Sequence, residues 1–306
     1  MAKRGSLHYQ AKSTLAAMEG FGRSRHADKQ AGTDKHFIYS RDTMKTYQHQ
    51  CGRFIAWVKE NCGGVRTLEQ AREHVDDYLT HIIGAGWKPA SVATSASALA
   101  KLYQCSKGDF RPTPPVTRAS ITRSREKGEY VPDAKMVAVT RTFVLRKCVL
   151  KELRPEMLGR DERGYYIAIP AKIDKHGKPH TVYAHAPRTD EGRVRLELAA
   201  QTIREALPGN RVFRDWDSRY YSHADRAFGC WERYTEYTRE VMERNGGEIP
   251  EHDRYVMRNS YDADGISDGL GGTVLSRSAL RQCGVDLSHG PFREHLIANH
   301  YLYNRG

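Results

Sequence analysis

No apolar run in this 306-residue chain approaches the ~18–20 residues that a membrane-spanning helix requires. The opening stretch, MAKRGSLHYQAKSTLAAMEG, is basic but has no apolar core of the kind a secretory signal needs. The six cysteines, Cys51, Cys62, Cys105, Cys148, Cys230 and Cys283, stand far apart with no C-x-x-C pair. That spacing argues for reduced thiols rather than a disulfide framework. The glycine-rich passage DADGISDGLGGT (262–273) contains neither G-x-G-x-x-G nor a GKT-type pattern, and no strand leads into it; it reads as a flexible insertion rather than a phosphate-binding loop. Acidic residues are also in short supply, 37 Asp and Glu against 49 Lys and Arg, for a net charge of +12. Such an excess favours a polyanionic partner, of which nucleic acid is the commonest, over a merely well-solvated surface. A cytoplasmic location, nucleoid-associated when bound to DNA, is the expectation.

What is present falls into segments. Residues 1–38 are polar and rich in Gly, Lys and Arg, and read as a basic N-terminal arm, mobile or laid along DNA. After Ser40, an N-cap candidate, Met44, Tyr47, Cys51, Phe54, Ile55 and Val58 recur at spacings of three and four and predict one buried helix face. NCGG (61–64) stops that helix. LEQAREHVDDYLTHIIGAG (68–86) and the Ala-rich ASVATSASALAKLYQ (90–104) predict two more, so residues 39–110 read as a small helical bundle. DFRPTPPVTRASITRSREKGEYVPD (109–133) carries four prolines and, between Val116 and Gly128, four basic residues against one acidic. It reads as a linker over 111–133, either a solvated tether or a segment lying along phosphates through Arg118, Arg123, Arg125 and Lys127.

The remainder, 134–306, mixes helices with a small β element. KMVAVTRTFVLRKCVLKELRPEML (135–158) predicts a helix with Arg146 in its middle. GYYIAIPAKIDKHGKPHTVYAHA (164–186) predicts a β-hairpin with Lys172, Lys175 and Lys178 in or beside its turn. RVRLELAAQTIREAL (193–207) and DRAFGCWERYTEYTREVMERN (225–245) are again helical. The expected class is therefore mainly α with a small β-hairpin or sheet, α+β.

Candidate chemistry comes in a fixed order along this part: Arg146 among apolar residues, the hairpin lysines, His223-Ala224-Asp225-Arg226, Leu287-Ser288-His289-Gly290, and HLIANHYLYNRG at 295–306 with Tyr301 and Tyr303. Each has an ordinary reading alone. An arginine on an apolar helix is commonly paired with a carboxylate, a hairpin lysine is commonly solvated, and a terminal tyrosine commonly packs. Together, in this order, they are much less accidental.

On these residues the chain resembles the tyrosine recombinase, or phage integrase, family, and among its members the integrases of mobile genetic elements. VLRKCVLKEL resembles the family's first arginine block, AKIDKHGKPHTV its lysine hairpin, HADR its H-x-x-R, and LSHGPFREHLIANHYL its L-G-H and tyrosine block. TYQHQCGRFIAWVKE and ASALAKLY look like its core-binding, SAM-like domain, so the likeness spans about residues 40–303. Val149 stands where the family's pattern has an acidic residue and Ser288 where it has glycine, and His289 and Tyr301 are two or three residues further apart than is common. The resemblance implies a helical core-binding domain followed by a catalytic domain, with Arg146, Lys172, His223, Arg226, His289 and Tyr301 as catalytic residues. Lys172 is preferred because it directly follows the first hairpin strand, and Lys175 is the alternative.

The residue types suit that chemistry. Two permanently charged, forked guanidinium groups stabilise negative charge on nonbridging phosphoryl oxygens. A phenol with its ordinary pKa of about 10 needs a cationic setting and an imidazole to take its proton. A hairpin lysine can protonate the leaving 5′ oxygen. No step calls for a metal, ATP or another cofactor, because the phosphotyrosyl bond conserves the energy of the broken one. The implied activity is site-specific DNA strand exchange through a 3′-phosphotyrosyl intermediate and a Holliday junction. The implied partners are double-stranded DNA with specific recombination sites, a homotetramer on that DNA, and accessory DNA-bending or directionality factors, with no membrane. A DNA-binding accessory protein of the same fold without turnover, and a tyrosine-dependent topoisomerase, are the competing readings.

Overall fold

The computed structural model describes residues 5–114, 116, 131–174, 177–217, 219–260 and 267–302. They divide into two compact units, one holding the described residues up to 116 and the other those from 131 onward.

The first unit is helical. Helix α1 (Leu7–Ala16) is capped by Ser6, whose side chain accepts from the Tyr9 N–H, and α2 (Arg25–Gln30) is capped by Ser24. The long α3 (Arg41–Asn61) begins where Ser40 accepts a hydrogen bond from the Thr43 N–H, and it buries Met44, Cys51, Phe54, Ile55 and Val58. A Thr67–Gln70 capping box opens α4 (Leu68–Arg72); α5 (Val75–Gly84) follows, and α6 (Pro89–Leu102) starts on a proline whose missing N–H leaves no helical bond unmade. Helices α1, α5 and α6 pack on α3 around one apolar core centred on Phe54, Ile55, Leu79 and Leu99.

Two expectations change here. The stretch read as a polar arm carries α1 and α2, and Leu7, Ala11, Leu15 and Met18 are buried in the same core as α3. Those four residues recur at helical spacing, and burying them outweighs the basic composition around them. The helix expected over 68–86 is divided into α4 and α5, with Ala71 and Val75 on either side of the break both buried.

In the second unit, α7 (Ala134–Phe143) is capped by Asp133 and ends at Val144, which has φ 45°. The short α8 (Lys147–Glu152) follows, with Arg146 as its N-cap residue. The single helix expected over 135–158 is therefore broken, and Arg146 stands at the break rather than mid-helix. Phe143, Val144, Leu145, Val149, Leu150 and Leu153 are all buried. An apolar run buried on every side has no periodicity to reveal where the backbone turns. The chain then forms β1 (Leu158–Asp161), β2 (Gly164–Ile169) and β3 (His180–Tyr183), an antiparallel sheet in that order, so the expected hairpin gains a third strand. Ile167 pairs with Val182, and both point into the core.

Helix α9 (Asp190–Arg204) is capped by Thr189 and packs on α7, as does the amphipathic α10 (Ser222–Arg244). Strands β4 (Arg254–Val256) and β5 (Val274–Ser276) pair antiparallel around the glycine-rich passage, of which residues 261–266 lie outside the described residues. Ser276 caps α11 (Arg277–Asp286), which packs against α10 and against the last helix, α12 (Glu294–His300). Among the described residues the result is mainly α with two small antiparallel sheets, consistent with the α+β expectation.

Helices α7 and α10 approach closely at Gly229, where an added Cβ would lie 2.2 Å from the Arg141 carbonyl oxygen. Backbone cannot yield as a side-chain tip would. Gly229→Ala is expected to destabilise the protein by about 1–3 kcal/mol through overpacking, lowering the urea midpoint. Gly84→Ala, where a Cβ meets nothing within 4 Å, should instead stabilise by about 0.5–1 kcal/mol.

Candidate active site

Four chain segments converge at one end of α10. The first turn of that helix carries His223 and Arg226, three residues apart and so on one side. Arg226 is 7% exposed and its guanidinium reaches three other segments. Nε donates to the Val144 carbonyl at 2.6 Å, Nη2 to the Leu287 carbonyl at 2.6 Å, and Nη1 to the Tyr301 hydroxyl at 3.2 Å. Burial pulls the Arg226 pKa below its ordinary value, Tyr301 opposes that shift and neighbouring Arg146 adds to it. A guanidinium starts so far above neutrality that it keeps its charge.

Tyr301 follows the last residue of α12, with its N–H bonded to the Ile297 carbonyl at 3.0 Å, and it is 4% exposed. Its hydroxyl lies 2.9 Å from His289 Nε2. The His223 ring meets the Tyr301 ring edge-on, centroids 5.2 Å apart. Because Arg226 can only donate, the phenolic oxygen accepts from it and its own O–H is left to donate. The tautomer of His289 with Nε2 unprotonated accepts that proton.

His289 is held by the loop after α11. Its N–H donates to the Gly284 carbonyl at 2.8 Å, and a Cβ on Gly284 would fall 2.4 Å from the Gly290 carbonyl oxygen, so the loop lies directly on the helix. Ser288 there has φ 57°, in the left-handed region that favours glycine. Its carbonyl accepts from Arg146 Nη2 at 2.7 Å, while Arg146 Nη1 donates to Asp174 Oδ1 at 2.9 Å. Beneath the site, Arg233 of α10 is 2% exposed and bonds Asp286, the Thr142 carbonyl and the Tyr183 carbonyl, tying α11, α7 and β3 together.

The structure thus brings Arg146, His223, Arg226, His289 and Tyr301 into one cluster. A cleft of about 400 Å³ opens beside it, bordered by Arg146, Lys147, Tyr221, His223 and Arg226. The exposed Lys172, in the turn after β2, is not among the residues bordering that cleft. It lines a different cavity of about 540 Å³ with Glu152, Glu156, Ile173 and His180. Lys175, Arg118, Arg123, Arg125, Lys127 and Tyr303 lie outside the described residues. Sequence reasoning passed over Asp174, which looks like an ordinary turn residue. Its partner is 28 positions away, and no local pattern signals the pairing. The carbonyls of Val144, Leu287 and Ser288 were equally out of reach, since backbone acceptors have no residue signature.

Residues 38–107 match the phage integrase, N-terminal SAM-like domain. That region holds α3 to α6 of the first unit, and the match supports the tyrosine recombinase and phage integrase family for this chain. No curated protein matches the chain. Among the described residues, no helix is long and apolar enough to cross a membrane.

The left-handed backbone at Ser288 gives a direct check on the loop that carries His289. Ser288→Gly removes the Cβ penalty at φ 57° and should raise stability by up to about 1 kcal/mol in urea unfolding, with the m-value unchanged.

Proposed function

We propose that the protein is a site-specific recombinase that cuts and rejoins DNA strands through Tyr301. The observation that carries this reading is the Tyr301 hydroxyl, held between a guanidinium donor at 3.2 Å and an imidazole nitrogen at 2.9 Å, with Arg146 alongside.

A scissile phosphate in the cleft bordered by Arg146 and Arg226 would have its nonbridging oxygens between two cations. Both guanidinium groups are fixed by carbonyl or carboxylate acceptors, so little reorganisation is needed as charge grows on those oxygens. Tyr301 Oη attacks phosphorus while its proton passes to His289. The bond from phosphorus to the 5′ oxygen breaks, and that oxygen takes a proton from a hairpin lysine, Lys172 or Lys175. The products are a 3′-phosphotyrosyl link and a free 5′ hydroxyl. Attack by the 5′ hydroxyl of another strand reverses the sequence and regenerates Tyr301, and His223, against the phenol ring, sets its orientation.

The similarity of residues 38–107 to an integrase N-terminal domain supports DNA as the substrate, and the net charge of +12 supports a polyanion. In this reading the helical first unit and the basic residues Arg118, Arg123, Arg125 and Lys127 contact phosphates, which makes binding steeply salt-dependent. Lys175 would do the same if Lys172 is the acid. Four protomers on two recombination sites of a mobile element would pass through a Holliday junction, with accessory DNA-bending or directionality factors.

Covalent trapping tests this with no target sequence specified in advance. The protein is incubated with a randomised pool of nicked suicide duplexes, adducts are recovered under denaturing conditions, and the modified peptide is mapped. The wild type is expected to carry DNA on Tyr301, and Tyr301→Phe to carry none while retaining its affinity for the recovered duplex. An adduct in Tyr301→Phe, or none in the wild type, would reject strand cleavage by this residue.

A further inference from the structure

Arg146 is the site arginine whose orientation depends most on a single side chain. Its own side chain is 11% exposed, and the carboxylate it bonds, Asp174, is 2% exposed. A carboxylate that deep is retained at a substantial desolvation cost, which a well-aligned cationic partner offsets. The pairing crosses the fold: Arg146 stands at the break before α8, whereas Asp174 ends the described part of the turn between β2 and β3. Asp174 also shapes that turn. Its carbonyl accepts from the Gly177 N–H at 3.1 Å, and its Oδ2 faces the Lys178 N–H at 3.5 Å.

From this geometry we infer that Asp174 is the positioning residue of Arg146, holding the guanidinium in its phosphate-facing orientation and tying the lysine-bearing hairpin turn to the same point. Two features make a dedicated carboxylate necessary. Arg146 and Arg226 line one narrow crevice, where their like charges oppose each other. The other bond, which Arg146 Nη2 donates to the Ser288 carbonyl at 2.7 Å, fixes one nitrogen and leaves the plane of the fork free to rotate. With Asp174 on the second nitrogen, both arms of the fork are set.

Val149 gives the idea an independent handle. It is buried one helical turn beyond Arg146 and lines the same narrow crevice as Arg146, His180, Arg226 and Ser288. A carboxylate there would face the arginine from within α8 and replace the charge without the hairpin connection.

This role rests on the strand-cleavage reading for its kinetic consequences but not for its structural ones, and the experiment separates the two. Single-turnover adduct formation and duplex Kd are measured on the full chain for wild type, Asp174→Asn, and Asp174→Asn with Val149→Asp. Arginine side chains are followed by 15N NMR without DNA, the Arg146 signal being assigned by its loss in Arg146→Lys. Asp174→Asn is expected to slow adduct formation about 100-fold, as a misplaced catalytic group does, with Kd within about threefold of wild type, since most phosphate contacts are made elsewhere. Restoring a carboxylate at position 149 should recover at least about tenfold of that loss, because the charge again meets Arg146. The Arg146 guanidinium should show separate, rotation-hindered Nη signals in the wild type and an averaged one in Asp174→Asn. A wild-type rate in Asp174→Asn, no recovery in a folded double variant, or an already averaged Arg146 signal in the wild type would each overturn the assignment. A wild type that forms no adduct yet keeps an Asp174-dependent hindered signal would reject strand cleavage and leave the positioning role standing.

Discussion

The second unit is organised around the guanidinium of Arg226. It touches the break after α7, the end of α11 and the residue following α12, through the carbonyls of Val144 and Leu287 and the hydroxyl of Tyr301. A charge buried this deeply is tolerated only when its donors are matched, and here two of the three acceptors are backbone groups that cannot rotate away. The backbone adapts to supply them. Val144 adopts a left-handed conformation that a β-branched residue rarely takes, and the chain after α11 turns back on itself through Ser288 at φ 57°. Local strain at those two positions is the counterpart of a well-satisfied arginine.

From that anchor the rest of the cluster follows. The turn at Ser288 aims its carbonyl at Arg146 and places His289 within hydrogen-bond distance of Tyr301. The break at Val144 brings Arg146 to the start of α8 rather than leaving it on a continuous helix, where it would have pointed along the apolar face. Arg233, about two turns further along the same face of α10, repeats the same device on a purely structural task, joining Asp286 to two carbonyls of neighbouring elements. One helix thus uses two buried arginines, one to align the candidate nucleophile and one to hold the helices beneath it.

The first unit has a simpler physical basis. Its helices are amphipathic with ordinary caps, and its core is aliphatic and aromatic around Phe54. Its inclusion of α1 shows how composition can mislead. A segment with many polar residues still docks if a handful of apolar ones, such as Leu7, Ala11 and Leu15, share a helical face. Its similarity to an integrase N-terminal domain begins at residue 38, beyond α1 and α2, so those two helices lie outside the matched part although α1 shares its core.

Periodicity, helped at α3 by the Ser40 cap, is local and was enough to place α3, α6, α9 and α10 within a few residues. The order of Arg146, H-x-x-R, L-S-H-G and the terminal tyrosine was legible for the same reason: each block is contiguous in the chain. What only the tertiary structure decided is where those blocks meet. The break of the apolar run at Val144, the third sheet strand, the separation of Lys172 from the cleft bordered by the arginines and the Asp174–Arg146 pair all depend on groups distant in sequence. Several of them also depend on backbone carbonyls that every residue possesses. A linear pattern can nominate side chains, but the acceptors that orient buried arginines are chosen by packing.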